Sequence, residues 1–127
     1  MIDSDKISQF EKIDAQLHGL FDEMNKQSVK RPNDALNKFK LKYVNDIIIK
    51  INNFLDKKLI PFQEFKKFEE DDLPTYSDVC LILSQYIECM DKMRSENITR
   101  FGDLWYWVIK EQRSTHQTSP PRKIMER

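Results

Sequence analysis

The sequence predicts an all-α fold: a small bundle of three long helices, a short Phe-rich helix and a C-terminal helix, followed by a flexible C-terminal tail. Two observations carry this expectation. Only Gly19 and Gly102 occur in 127 residues, where average usage gives about nine. Tight hairpins and phosphate-cradling loops both draw on glycine at positive φ. Apolar residues also recur at spacings of three and four, the period of helices that bury one face. The length suits a single hydrophobic core, so residues 1–111 are read as one helical domain and 112–127 as a polar, mobile tail.

The first helix is expected from Ser4 to about Gln27, with Asp3 or Ser4 as its cap. Phe10, Ile13, Leu17, Leu20 and Met24 form its stripe, and Ile7 and Phe21 widen it. Gly19 inside it costs about 1 kcal/mol relative to alanine, and would permit close approach of another helix. Lys30-Arg31-Pro32-Asn33 breaks the chain, because proline restrains the residue before it. Asn33 or Asp34 then offers a cap for a second helix from Ala35 to about Lys57. Its residues Leu36, Tyr43, Val44, Ile47, Ile48, Ile51, Phe54 and Leu55 cover an arc of roughly 140°, so it is read as the central helix.

Pro61 ends that helix, and Phe62, Phe65 and Phe68 at three-residue spacing predict one or two further helical turns. An acidic connection, Glu69 to Asp72, leads to Thr75-Tyr76-Ser77-Asp78, which has the form of a capping box. The third long helix follows, with Val79, Ile82, Leu83, Tyr86, Met90 and Met93 on one face and an end near Ser95 to Asn97. From Ile98 to about Glu111, the residues Phe101, Leu104, Trp105, Val108 and Ile109 make a helical stripe. A strand is the alternative there, since Leu-Trp-Tyr-Trp-Val-Ile has high β propensity.

The chemistry of the chain excludes more than it indicates. Basic and acidic side chains number 21 each, so no global field draws the protein to nucleic acid or membrane. No apolar run approaches the roughly 18 residues that span a bilayer. The N-terminus is polar and acidic, the wrong chemistry for a secretory signal. Cys80 and Cys89 fall on opposite faces of one helix, about 13 Å apart along its axis, too far to pair. Free thiols without an export signal read as cytoplasmic.

The two histidines, His18 and His116, lack the close spacings of a zinc site, and nothing sets a base beside Cys89 for nucleophilic catalysis. The acidic connection lacks the alternating ligands and central glycine of a calcium loop. No cofactor or metal is expected, and no catalytic constellation is recognisable.

The expected function is therefore a non-enzymatic protein–protein interaction module acting through a helical face. Small bacterial or phage accessory proteins, inhibitors, immunity proteins and assembly subunits belong to that class. Phe10, Leu17, Trp105, Tyr106 and Trp107 are the candidate contact residues, since tryptophan and tyrosine dominate interface hot spots. The partner is another protein, a second copy of the chain, or both. The alternative is a nucleic-acid-binding subunit that meets phosphates with Lys38, Lys42 and Lys50 of the second helix. No membrane partner is expected.

Overall fold

The computed structural model describes residues 2–122 and consists of three helices followed by a three-stranded antiparallel sheet. The last part of the expected tail, 123–127, lies outside the described residues.

Helix α1, Ser4–Lys30, starts where Asp3 accepts a hydrogen bond from the Lys6 amide at 2.8 Å. It stops at Arg31, ahead of Pro32. Ile7, Phe10, Leu17 and Met24 are its buried stripe. Helix α2, Lys38–Phe54, is capped by Asn37, which accepts from the Lys40 amide at 2.8 Å. Asn33 and Asp34 are not its caps, because the chain there pairs with the approach to the third helix. Ala35 bridges Thr75, and the Asp34 carbonyl accepts from the Tyr76 amide at 3.1 Å.

The expected Phe-rich helix is absent. Only single 3-10 turns form, at Lys57–Leu59 and Glu70–Asp72, on either side of it. Pro61 cannot donate to a helical ladder, and Asn45 of α2 captures the Phe68 backbone instead. Its amide donates to the Phe68 carbonyl at 3.0 Å and its oxygen accepts from the Phe68 N–H at 2.8 Å. The three rings stack edge to face, Phe62 on Phe65 at 6.2 Å and Phe65 on Phe68 at 5.1 Å. Helix α3, Tyr76–Ser95, opens with the full capping box of Thr75 and Asp78.

The C-terminal region overturns the all-α bundle. Ile98–Phe101 (β1), Leu104–Ile109 (β2) and Gln112–Thr118 (β3) form a meander in the order β1-β2-β3. The structure is thus α+β. It has two strands, β1 and β2, where the C-terminal helix was expected, and a third in the first half of the expected tail. Propensity explains β2, whose aromatic and β-branched run fits a pleated surface better than a helix.

Turns explain the rest. Gly102 takes φ 65° in the first, and Lys110 and Glu111 take φ 53° and 64° in the second. Ile109 pairs with Gln112 across that two-residue turn, whose two positive φ values match a type I′ hairpin. Glycine scarcity therefore did not forbid a hairpin, because two ordinary residues occupy the left-handed conformation.

Phe10, Leu17, Val44, Ile48, Ile51, Val79, Leu83, Tyr86, Met90 and Trp107 are fully enclosed. Helix α1 is the shared element, packed on α3 along one side and on the sheet near its start. Trp107 of β2 meets Phe10 edge-on at 5.0 Å. Burying an indole removes about 150–250 Å² from water, an upper limit of about 4–6 kcal/mol. That single ring is the main apolar anchor of the sheet. Among the described residues no helix is long and apolar enough to cross a membrane.

Candidate functional site

Helix α2 shows why a wide apolar arc need not mean a central helix. One side, Leu41, Val44, Ile47, Ile48 and Ile51, is buried. The opposite side leaves Phe39 68% exposed, Tyr43 54% and Ile49 42%. Phe39 and Tyr43 are four residues apart, so they stack one turn above the other, with ring centroids 5.0 Å apart at 72°. Beside them a groove of about 430 Å³ runs between α1 and α2, lined by Gly19, Leu20, Tyr43, Ile47 and others. At Gly19 nothing stands within 4 Å of where a Cβ would lie. The chain's own packing therefore does not require this glycine.

The lysines proposed for phosphate contact lie on this same exposed surface. All three are exposed, and Lys38 lies 3.4 Å from Glu70. Asp46 lies with Lys42 in one groove and with Lys50 in another, so the surface is mixed in sign. Lys40 is committed elsewhere, donating to the Tyr76 hydroxyl at 2.9 Å.

The aromatic candidates separate by strand alternation. Phe10, Leu17 and Trp107 are in the core with no accessible surface. The Trp107 indole N–H donates to Glu11 Oε1 at 2.9 Å, and the Thr118 hydroxyl donates to the same oxygen at 3.1 Å. Trp105 is half-buried and sits opposite Arg100 and Thr118. Tyr106 is half-buried on the other face, where the Arg113 guanidinium lies 5.0 Å from its ring and 4.0 Å from that of Phe101. Phe101 and Leu104 are 60% and 48% exposed, which gives the sheet a small apolar outer face that the sequence reading did not single out.

A buried charge cluster was also missed. Arg94, 7% exposed, donates to Asp91 Oδ1 at 2.7 Å and lies 3.6 Å from Asp14 Oδ2, joining α3 to α1. His18 approaches Asp14 at 3.5 Å. Burial pushes the Asp14 carboxyl above the usual range, and His18 and Arg94 offset this in part. Arg94 Nε has no hydrogen-bond partner among the described residues. Arg122 crosses back over α3, its amide donating to Asp91 Oδ2 at 3.3 Å and its guanidinium to Glu88 at 2.7 Å. The i, i+3 spacing of Asp91 and Arg94 was the one sequence signal, and it reads equally well as a surface pair.

Little else resembles an active site. His18 and His116 are on different elements, and His116 meets Ser4 at 3.3 Å. Cys80 and Cys89 are free and half-buried, and burial raises both thiols above their ordinary range. A raised thiol stays protonated at neutral pH and is a poor nucleophile. Among the described residues no group of three or more metal-ligating side chains converges. Compared with known protein families, curated proteins and solved structures, the chain matches none.

Proposed function

We propose that this chain is a non-enzymatic protein–protein interaction module that works through the outward face of α2, with a second copy of the chain as the partner it fits. The observation that carries the reading is the stacked, solvent-exposed pair Phe39 and Tyr43, beside an open groove at Gly19. Exposed aromatics rimmed by charge are the usual composition of a contact patch. Beyond the Lys38–Glu70 pair within the chain, the lysines of α2 and the acidic Glu69 to Asp72 connection put both signs on one molecule, which suits a self-complementary two-fold contact. A cytoplasmic setting accords with the two free thiols.

Size-exclusion chromatography with light scattering over a range of concentrations tests this. A dimer is expected that Phe39→Glu and Tyr43→Glu each convert to monomer while the circular dichroism spectrum is unchanged. A chain that stays monomeric at about 0.5 mM, a concentration at which even weak contacts form, counts against the reading. So does a dimer indifferent to both substitutions.

One observation keeps a nucleic-acid reading in view: Lys42 and Lys50 are exposed together on that face, about 12 Å apart along the helix. It predicts co-purifying absorbance at 260 nm and binding that falls steeply with salt and on Lys42→Glu or Lys50→Glu. Salt-insensitive association excludes it.

A further inference from the structure

Three surface grooves carry both signs of charge. Lys6 and Lys58 stand against Asp56 and Glu96 in one, and Lys38, Lys42 and Lys67 against Asp46, Glu69 and Glu70 in another. Lys50 stands against Asp46 in the groove beside Gly19. A further groove, of about 490 Å³, breaks this pattern. Lys57 and Lys66 line it, and among the described residues its lining includes no carboxylate. In a chain with equal numbers of acids and bases, a cleft lined by cations alone is a local imbalance that favours an anion.

The walls are apolar and held in place. Ile49, Ile60, Phe62 and Phe65 supply the hydrophobic surface. Phe65 stacks between Phe62 and Phe68, and the two hydrogen bonds of Asn45 fix Phe68. Gln63 ties the loop together by donating to the Lys57 carbonyl at 2.8 Å. Asn52 lines the cleft, and the buried Tyr86 hydroxyl donates to its Oδ1 at 2.8 Å, which sets that amide's orientation and leaves its NH₂ as the group to meet a ligand. The nearby C-terminus of α2 would repel an anion, but the Phe54 carbonyl accepts from Lys6 Nζ at 3.3 Å. The volume falls within the roughly 300–1,000 Å³ of small-molecule sites, and apolar walls with a few polar groups are their usual composition.

We propose that this groove binds a small organic anion, with a flat apolar body against Phe62, Phe65 and Ile49 and one carboxylate or phosphate met by Lys57 and Lys66. The site is separate from the exposed Phe39 and Tyr43 pair, and the proposal stands whether or not that pair mediates association.

The test is an NMR titration of the full chain with three probes: 1-naphthylacetate, its uncharged amide, and 1-naphthyl phosphate. Saturable shifts are expected at Ile49, Asn52 and Phe65, with the amide about tenfold weaker than the two anions. Lys57→Gln combined with Lys66→Gln should weaken both anions about tenfold and leave the amide unchanged. Lys58→Gln, whose side chain lines a different groove, should change nothing. Tighter binding of the phosphate or of the carboxylate identifies the head group, and either order supports the proposal. Equal affinity for acid and amide, indifference to the double substitution, shifts mapping elsewhere, or no saturation by about 5 mM each overturns it.

Discussion

Replacing Lys110-Glu111 by Asn-Gly should stabilise this protein, because both native residues hold positive φ, at 53° and 64°. The left-handed conformation costs an ordinary L-residue about 1–2 kcal/mol. Asparagine tolerates it better, and glycine adopts it without steric cost. Glycine also loosens the unfolded chain, which returns about 0.5–1 kcal/mol. Both native side chains are exposed, so little packing is lost. The net gain is about 1–2 kcal/mol. At about 2.1 cal/mol/K per residue, 127 residues give an unfolding entropy near 0.27 kcal/mol/K. The melting temperature should therefore rise by about 4–8 °C.

Thermal melts followed by circular dichroism, with urea unfolding as a second measure, provide the assay. Glu111→Val is the opposing control, since a β-branched residue at positive φ should lower the midpoint. An Asn-Gly variant that melts at or below the native temperature, together with a harmless Glu111→Val, would refute the turn geometry. It would also refute the account of how a glycine-poor chain makes this hairpin.

Other predictions concern the contacts that hold the sheet and helices together. Arg94→Ala leaves Asp14 and Asp91 facing each other without their shared cation, and should cost about 3–5 kcal/mol in urea unfolding. Burial raises the folded-state pKa of Asp14 above its ordinary 3.8, so its contribution to stability is fully present below 3.8 and lost as pH rises through the folded value. Asp14→Asn removes that loss. Its melting temperature relative to the native chain should climb between acid and neutral pH, and a falling difference would contradict the burial argument. Glu11→Ala deprives the Trp107 indole of its acceptor and should cost about 1–2 kcal/mol. A change in tryptophan fluorescence should report the altered surroundings of that ring.

The long helices were legible because their signals are local and repeated. Phe10, Leu17 and Met24 mark the buried side of α1 at helical spacing, and Thr75 and Asp78 alone announce the start of α3. The short strands carry no such redundancy. Six residues, Leu104–Ile109, fit a helical stripe or a strand equally well, and periodicity does not arbitrate over so short a run. Strand β3 is harder still to read. His116 and Thr118 meet the polar Ser4 and Glu11 of α1, so its sequence shows no apolar alternation and resembles a tail. The candidate surfaces follow the same rule. Tyr43 read as part of the apolar arc of a central helix, Phe39 was not singled out, and Phe10, Leu17 and Trp107 looked available. Which apolar residues stay outside depends on where the neighbouring elements stop.

The three helices, the existence of one apolar core, the cap at Thr75, a cap at Asp3 or Ser4, and the inability of Cys80 and Cys89 to pair were thus readable along the chain. Packing settled the rest: β1, β2 and β3 pair as strands, Trp107 closes the core, Arg94 gathers Asp14 and Asp91, and α2 keeps one aromatic face in solvent. The physical reason is range. Helical hydrogen bonds and caps join residues three or four apart, so their signals lie side by side in the chain. Sheet pairing, ion clusters and exposed faces arise from residues brought together across tens of positions, and each is a property of the packing.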